Sequence, residues 1–473
     1  MTAGDDRVRD ATHEDAAGAA GSAGAIRERV AALMPAARRD LARLVAFRSV
    51  ADERQVPREE LRRTAVAVRD LFRDVGVDDV ELHPTPDGTD AVIGRAPGPP
   101  GAPTVLLYTH YDVQPPLGDE AWTTPVWELT DRDGRWYGRG AADCKGNLVA
   151  HLTALRALGG AFPVGLVVVV EGSEEQATGG LEAFVREHPE LLRADAILVC
   201  DTGNVAAGVP TLTTSLRGVA NVVVTVRTLG TAGHSGMFGG AAPDALAALL
   251  HTLASLRDVD GNTTVRGLDA SGGWRGAAYP VERFRQDASV LEGVDVLGSG
   301  SVADMLWARP AVTVLGIDAP PVVGSTAAVQ PSARARVSLR VPPGTDAVAA
   351  QDALVEHLQA SAPWHARVEV EREAVGQPFT ATVDGPAYRA LRGAMEDAFG
   401  HELATVGQGA SIPLCSVLRE TYPDAAIFLM GVEEPRSRIH APDESVDPRE
   451  IERVAVATAL FLERYGSAGT SPG

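Results

Sequence analysis

The chain has 473 residues, of which 45% are hydrophobic, and a formal net charge of −20 at pH 7. This length exceeds what one ordinary hydrophobic core organises, so it predicts two domains. The excess of acidic residues argues against partners that are nucleic acids or anionic membrane surfaces.

Cysteine usage and hydropathy bear on the compartment. Cys144, Cys200 and Cys415 have no motif spacing, which fits thiols in a reducing compartment better than a disulfide framework. No apolar run approaches the roughly 18 residues of a membrane span. The first residues lack a basic region followed by an apolar core, so we expect no signal peptide. These features predict a cytoplasmic protein without membrane contact.

The first half of the chain alternates between helical and strand patterns. Residues 1–24 are rich in Ala, Gly and Asp, which predicts a disordered tail. Helical spacing of apolar residues follows over 26–47 and 58–75. Almost continuous apolar runs at 104–108, 164–170 and 194–199 predict buried strands, with helices at 148–158 and 179–187 between them. This alternation over residues 25–217 predicts an α/β sheet with helical crossovers.

A different pattern interrupts the sheet. Residues 218–374 read as strands and helices in the order βαββαβ, the ferredoxin-like motif, with an irregular Gly- and Asp-rich insertion at 258–309. The first pattern then resumes over 375–465, and residues 466–473 form a second tail. The smaller domain is therefore predicted to be inserted in the larger one.

Side chains that bind metals follow the predicted strands. Ligands of open α/β sheets bind beyond the carboxyl ends of the strands. Asp143 lies on a glycine-rich loop before a helix, where an isolated aspartate is more often a helix cap. The other donors that follow the predicted strands favour a metal ligand here. The donors at these positions are His110, Asp143, Glu174, Glu175, Asp201 and His440.

The donor types indicate a pair of divalent ions. Imidazoles and carboxylates suit Zn²⁺, Mn²⁺ or Co²⁺. Five ligands serve two ions about 3.5–4 Å apart when one carboxylate bridges, and Asp143 is the natural bridge. Neighbours in extended backbone point to opposite sides, so one of Glu174 and Glu175 faces the metals while the other acts as a general base. Asp112 is placed to accept the second ring N–H of His110.

Six motifs carry a resemblance to a known family. The chain resembles the M20 metallopeptidases, the carnosinase-like and carboxypeptidase-G-like enzymes with two catalytic zinc ions, over nearly all of the sequence between its tails. The motifs are Thr109-His110-Tyr111-Asp112-Val113-Gln114-Pro115, Gly138-Arg139-Gly140-Ala141-Ala142-Asp143-Cys144-Lys145-Gly146, Glu171-Gly172-Ser173-Glu174-Glu175, Asp201-Thr202, Gly233-His234-Ser235-Gly236 and Ile439-His440-Ala441.

The resemblance implies a fold and a ligand set. The fold is a zinc-exopeptidase-like mixed α/β sheet flanked by helices, which forms the catalytic domain, with an inserted ferredoxin-like α+β dimerisation or lid domain. The implied ligands are His110 and Asp201 on one metal, Glu175 and His440 on the other, and Asp143 between them. Glu174 is implied to be the base that deprotonates a bridging water, and the Asp143–Cys144 peptide to be cis.

The resemblance also implies residues that bind substrate. His234 reaches the site of a partner subunit, so a homodimer is implied, and Arg340 grips the terminal carboxylate with Gly409 and Ser411. Read from the residues alone, other arginines compete for that role. They are Arg334, Arg336, Arg436 and Arg438. On the substrate side, two stretches depart from the carnosinase-like branch. They are Gly407-Gln408-Gly409-Ala410 and Gln330-Pro331.

The leading hypothesis is a hydrolase with two metal ions that cleaves dipeptides or short peptides with a free C-terminal carboxylate. One alternative is an N-acyl-amino-acid deacylase on the same scaffold, and another is a catalytically silent binding protein. Cys144 is interpreted as a small buried filler.

Overall fold

The computed structural model of the chain describes residues 5–468, with side chains described for residues 21–467. Four short helical turns are not α-helical: Asp119–Ala121, Glu174–Gln176 and Pro363–His365 are 3₁₀, and Asp304–Ala308 is a π-helix. The α-helices are α1 (Asp5–Val45), α2 (Arg58–Asp74), α3 (Lys145–Ala157), α4 (Gly180–Glu187), α5 (Ser235–Phe238), α6 (Ala245–Ala254), α7 (Val281–Asp287), α8 (Ala347–Ser361), α9 (Gly385–Phe399), α10 (Pro413–Thr421) and α11 (Pro448–Ala468). None of the helices within residues 5–468 combines the length and apolarity needed to cross a membrane.

Strands fall in the intervals that the apolar runs predict. The strands are β1 (Asp79–Pro84), β2 (Asp90–Ala96), β3 (Thr104–His110), β4 (Thr130–Arg132), β5 (Arg135–Tyr137), β6 (Gly165–Glu171), β7 (Ala196–Cys200), β8 (Thr211–Leu216), β9 (Gly218–Arg227), β10 (Gly233–His234), β11 (Ala311–Asp318), β12 (Ala328–Val329), β13 (Ser332–Val341), β14 (Arg367–Gly376), β15 (Phe379–Thr380), β16 (Ala404–Gln408), β17 (Ala426–Met430) and β18 (Ser445–Val446).

The chain divides into two compact units. The first unit comprises Met1–Thr214, Ala381–Thr405 and Val417–Gly473, and the second comprises Ser215–Thr380 and Val406–Ser416. The sequence-based boundaries at 218 and 374 lie within a few residues of the first two divisions. The segment 406–416, which the sequence pattern placed in the larger domain, joins the second unit because Gln408 O accepts a hydrogen bond from Arg217 N at 3.1 Å.

The ends of the chain differ from the predicted tails. Helix α1 begins at Asp5, so most of the stretch 1–24 that composition assigned to a disordered tail is helical. Within it, Ala23 is buried and Ser22 Oγ donates to Glu463 Oε2 of α11 at 2.6 Å. Small residues are sufficient here because α1 lies against another helix. Helix α11 runs to Ala468, past the predicted start of the second tail at 466; residues 1–4 and 469–473 lie outside the described residues.

A mixed sheet forms the centre of the first unit. Its strand order is β1-β2-β6-β3-β7-β17-β8, with β6, β3, β7 and β17 parallel to one another. Helix α2 contacts β1 and β2, and α1, α3, α9 and α11 form a contacting group. Strands β3, β6 and β7 are buried over almost their whole length, as the apolar runs predicted. The predicted α/β class is confirmed.

The second unit contains the predicted βαββαβ arrangement. Strands β9, β11, β13 and β14 form an antiparallel sheet in the order β11-β13-β9-β14. Ala220, Val222, Val224 and Val226 alternate along β9 with less buried residues, so one sheet face packs on α6 and α8. The insertion 258–309 contains α7 and the π-helical turn Asp304–Ala308, and its remainder is irregular.

Candidate metal centre

His110 ends β3 at the carboxyl edge of the first unit's sheet. Strand β3 lies between β6 and β7 in parallel register, so His110 comes level with Glu171 at the end of β6. The imidazole is fully buried, and its Nδ1 lies 3.1 Å from Asp112 O and 3.3 Å from Asp112 Oδ1. Asp112 therefore contacts the ring nitrogen that faces away from the cluster, as predicted.

Asp143 lies between two imidazoles. His110 Nε2 is 3.0 Å from Asp143 Oδ1 and 3.2 Å from Asp201 Oδ1. His440 Nε2 is 2.9 Å from the other oxygen, Asp143 Oδ2, and 3.1 Å from Glu175 Oε2. Each oxygen of Asp143 thus belongs to a different group of donors. The structure brings together all five residues that the sequence proposed as ligands.

The cluster buries more negative than positive charge. Burial, and then the charge of Asp201, raises the pKa of Glu174 to about 10, and burial also raises the pKa of Asp201 and of Glu175. Hydrogen bonds to Asp143 and Glu175 raise the pKa of His440 to about 10. Buried carboxylates without enough counter-charge either take up a proton or bind a cation. Two groups of N and O donors that share one carboxylate fit a pair of borderline divalent ions.

Cys144 adjoins the first group of donors without taking a ligand's role. Its sulfur lies within reach of His110, Asp143 and Asp201. However, the thiol donates to Cys200 O at 3.0 Å, and burial raises its pKa. It fills a buried space as a neutral thiol. The peptide between Asp143 and Cys144 is cis, as the resemblance implies.

Asp112 also positions the two neighbouring glutamates. Its Oδ1 accepts from Glu174 N at 3.2 Å and its Oδ2 from Glu175 N at 3.0 Å. The two residues occupy the 3₁₀ turn Glu174–Gln176, so the prediction of extended backbone was wrong for them. Gln114 Nε2 holds Glu175 Oε2 at 2.9 Å. Glu175 joins the cluster, whereas the Glu174 carboxylate forms no ion pair among the described residues. The two neighbours therefore differ in their contacts, for a different geometric reason from the one expected of extended backbone.

The loop that carries Asp143 is clamped by Glu444, which sequence reasoning missed. Oε1 of Glu444 accepts from the backbone N of Ala142 at 3.1 Å and of Asp143 at 3.0 Å. Oε2 accepts from Gly140 N at 3.0 Å and from Arg139 Nη1 at 2.7 Å. Glu444 is fully buried. Its one sequence signal was a carboxylate four residues after His440.

The residues that the resemblance implies for substrate binding all lie in the second unit. His234 is exposed, and its Nδ1 accepts from Gly236 N at 3.1 Å, so it caps the short helix α5. Arg340 is half-buried on β13, opposite Val219 of β9. Gly409 and Ser411 lie in the turn after β16.

The competing arginines are already engaged or lie elsewhere. Arg334 pairs with Asp318, and Arg336 Nε lies 2.8 Å from Glu373 Oε2. Arg436 and Arg438 belong to the first unit, where they line a cleft with Asp443. Among residues 21–467, Arg340 forms no ion pair with a carboxylate, which favours it for a ligand carboxylate.

A mixed α/β sheet that carries two donor groups with one shared carboxylate is the arrangement of a hydrolase with two catalytic metals. Residues 106–464 match the Peptidase_M20 family, described as peptidase family M20/M25/M40. The chain belongs to this family, and the predicted resemblance is confirmed. It is therefore an enzyme, a metallopeptidase of the M20 type.

Individual relatives agree with this assignment. The chain is 48% identical over 394 residues to the cysteinylglycine-S-conjugate dipeptidase of Corynebacterium striatum, covering 82% of this chain and 87% of that protein. It is 26% identical over 435 residues to the beta-Ala-His dipeptidase of Homo sapiens, covering 86% and 85%. The solved structure of human carnosine dipeptidase 1 matches with a TM-score of 0.75 at 24% identity, covering 94% of this chain and 98% of that chain.

Proposed function

We propose that the protein is a dipeptidase with two metal ions, cleaving the amide bond of substrates that have a free C-terminal carboxylate. The observation that supports this proposal most directly is the position of Asp143 between two imidazoles. Its Oδ1 lies 3.0 Å from His110 Nε2, and its Oδ2 lies 2.9 Å from His440 Nε2. A bridging carboxylate with an imidazole at each oxygen has little use in a site for one ion. The relatives named as dipeptidases support the substrate class.

The five donors would hold the two ions in the way the sequence predicted. His110 and Asp201 would bind one ion, Glu175 and His440 the other, and Asp143 both; we propose Zn²⁺, with Mn²⁺ and Co²⁺ as alternatives. When bound, such ions polarise a scissile carbonyl and acidify water. They would also favour the carboxylate form of Glu174, opposing the burial that raises its pKa.

Glu174 is proposed to move the proton. The charges of Asp201 and His110 act on its carboxylate, and it is not one of the residues that form the two donor groups. As a general base it would take a proton from the attacking water and pass it to the leaving amine. Asp112 is a positioning residue here, because it holds both the His110 ring and the backbone of Glu174.

On the substrate side, Arg340 is proposed to bind the terminal carboxylate as a fork, with Gly409 and Ser411 contributing backbone and hydroxyl contacts. His234 is proposed to act at the site of a partner subunit. The thiols of Cys144 and Cys200 are both buried, and we propose the cytoplasm as their reducing compartment.

A homodimer is proposed through strand β11. This edge strand of the second unit's sheet exposes apolar side chains, with Val314 38%, Leu315 51% and Ile317 42% exposed. Unprotected edge strands pair with another chain. The opposite edge, β14, instead presents charged residues such as Glu369 and Glu371. A second copy of β11 is the partner that would cover this apolar edge symmetrically.

The substrate class is tested by a panel assayed with Zn²⁺, Mn²⁺ and Co²⁺. It contains dipeptides such as Cys-Gly and beta-Ala-His, their C-terminal amides, and N-acetyl and N-succinyl amino acids. Turnover of the dipeptides with free carboxylates, abolished by a chelator and restored by metal, is the expected result. Turnover of the acyl amino acids alone would identify a deacylase, and no turnover with intact metal binding would identify a binding protein.

A further inference from the structure

Arg217 is a buried guanidinium in the second unit. It lies between β8 and β9, and only 7% of the residue is exposed. Its Nη1 lies 3.5 Å from Met305 O, a long contact, and its Nε has no hydrogen-bond partner among the described residues. Within residues 21–467 no acidic side chain forms an ion pair with Arg217, so the charge has little compensation.

The charge near Arg217 is positive. Burial, and then the charge of Arg340, lowers the pKa of Arg217 to about 10. Burying an ionised group without a partner is strongly unfavourable, even after the surroundings relax. Two guanidinium groups whose positive charges repel each other, without an acid between them, destabilise the free protein. Such an arrangement is expected where an anion from outside completes it.

The register of the sheet places these groups on one face. Arg340 pairs directly with Val219, and Val219 pairs on its other side with Gly376. Residues 220, 222, 224 and 226 face the helices, so Val219 and Arg340 belong to the opposite face. A Cβ at Gly376 would lie 4.0 Å from Ser411 Oγ, which puts the Ser411 hydroxyl close to the same part of the sheet.

Glycine 409 lets the guanidinium approach this turn. A Cβ at Gly409 would lie 2.7 Å from Arg217 Nη2. Met305 O, in the π-helical turn Asp304–Ala308, contacts the guanidinium, and Trp307 of the same turn lies against Gly407, where a Cβ would be 2.6 Å from Trp307 Cβ. The insertion 258–309 thus supplies the cover that keeps Arg217 from water.

We infer that Arg217 is a second carboxylate-binding residue, which acts with Arg340, Gly409 and Ser411 on the C-terminal carboxylate of the substrate. Two guanidinium groups offer enough N–H donors to satisfy both oxygens of a carboxylate. Arg217 would therefore set the preference for a free C-terminus over an amide or an ester. This inference rests on the proposed function, because it names a residue for the same substrate group.

The test compares the wild type with Arg217→Gln, Arg217→Lys and the control Arg336→Gln, whose arginine is exposed and paired with Glu373. Each enzyme, loaded with metal, is assayed on a dipeptide and on its C-terminal amide. For Arg217→Gln, kcat/KM on the dipeptide is expected to fall roughly 10- to 100-fold, the worth of a charged hydrogen bond, and on the amide less than about threefold. Arg217→Lys should fall between. Equal losses on both substrates, or no loss, would overturn the inference.

A binding measurement decides the matter independently of catalysis. The metal-loaded wild type, Arg217→Gln and Arg336→Gln are each titrated calorimetrically with butyrate, which has a carboxylate and no bond to cleave. Butyramide, which has no charge, is the neutral probe. Butyrate binding is expected to weaken at least about tenfold in Arg217→Gln alone. If the wild type cleaves no dipeptide but this difference holds, the proposed function fails while the carboxylate-binding role of Arg217 stands. Equal butyrate affinity in all three proteins overturns that role.

Thermal denaturation separates a binding role from a structural one. Arg217→Met removes an uncompensated buried charge and keeps most of the side chain's volume, so its melting temperature is expected to equal or exceed that of the wild type. A clear drop in melting temperature, together with losses that are the same for dipeptide and amide, would show that Arg217 supports the fold instead.

Discussion

The Glu444 carboxylate accepts a hydrogen bond from the backbone N–H of Asp143, with Oε1 3.0 Å from N. The same carboxylate accepts from Gly140 N and Ala142 N and from the Arg139 guanidinium. All these groups are buried. Glu444 therefore fixes the backbone from which the shared carboxylate of the metal centre projects, although it contributes no atom to the centre.

We expect Glu444→Gln to weaken metal binding. Each oxygen of Glu444 accepts two hydrogen bonds, so replacing one oxygen by an amide nitrogen removes two of the four, and Asp143 is held less firmly. Loss of groups that orient metal ligands typically costs about 10- to 100-fold in metal affinity or activity. Competition with a chromophoric chelator measures the affinity, and activity at saturating metal shows how much is recovered.

The control for this experiment is Glu420→Gln, which changes a glutamate with 61% side-chain exposure. A metal affinity of Glu444→Gln equal to that of this control would contradict the role assigned to Glu444. Glu444→Ala is a harsher variant, because it leaves the Arg139 guanidinium buried without its partner. Breaking a buried ion pair in this way costs about 3–5 kcal/mol, so reduced folding yield is expected.

Replacing Asp143 and replacing Asp201 should have different effects on metal content. Asp143 presents one oxygen to each donor group, whereas Asp201 belongs to the group of His110 and not to that of Glu175 and His440. We expect Asp143→Asn to lose tight binding of both ions and Asp201→Asn to retain the ion held by Glu175 and His440. Elemental analysis of dialysed protein measures the stoichiometry. Identical metal content in the two variants would show that Asp143 does not bridge.

The general-base assignment predicts a defect in turnover without a defect in metal binding. Glu174→Gln keeps the size of the side chain and removes its basicity. Because general acid–base groups contribute about 10²- to 10⁴-fold, kcat is expected to fall by that amount. The metal content should match the wild type, since Glu174 is not in either donor group. A variant that binds both ions and turns over at the normal rate would rule Glu174 out.

The sequence predicts which donors lie together in the candidate metal centre because the sheet topology does most of the placing. Parallel strands end at one edge of a sheet, so His110, Glu175 and Asp201 had to meet once their strands were recognised. Glu444 escaped prediction because it clamps a loop 301 positions away, a contact that no local periodicity records. Arg217 escaped prediction because it is distinguished by the lack of an acidic ion-pair partner among the described residues, which the sequence does not record. The helical stretch 21–24 escaped because Ala and Gly give a weak burial signal unless the neighbouring helix is known.

Dimerisation through β11 is expected to depend on its exposed apolar residues. The double variant Leu315→Asp, Ile317→Asp places two charges on the edge strand, where pairing with a second copy would bury them without partners. We expect the wild type to have about twice the chain mass of 49.4 kDa and the double variant to have the mass of one chain. Sedimentation equilibrium measures both masses.

Glu371→Lys is the matched control for the dimer, because it changes a charge on the opposite edge strand β14. Its mass should remain that of the wild type. A monomeric wild type would contradict the proposed dimer, and a double variant that still dimerises would place the interface elsewhere.

His151 should make the first unit sensitive to acid. The residue lies on α3, is 1% exposed, and burial lowers its pKa to about 4. In the unfolded chain a histidine titrates near 6.5, so between pH 6.5 and pH 4 the unfolded state binds the extra proton. The stability contributed by the neutral ring is therefore fully present above about pH 6.5 and is lost as the pH falls towards 4.

Replacing His151 with leucine should remove this dependence. At about 1.36 kcal/mol per pKa unit, the free energy of unfolding of the wild type is expected to fall by roughly 3 kcal/mol more than that of His151→Leu between pH 7 and pH 4. Urea denaturation at several pH values measures it, with chelator present throughout so that metal release does not differ between the proteins. The exposed His401→Gln variant is the control and should follow the wild type. If the His151→Leu curve also runs parallel to that of the wild type, then the His151 ring does not titrate differently in the folded and unfolded states.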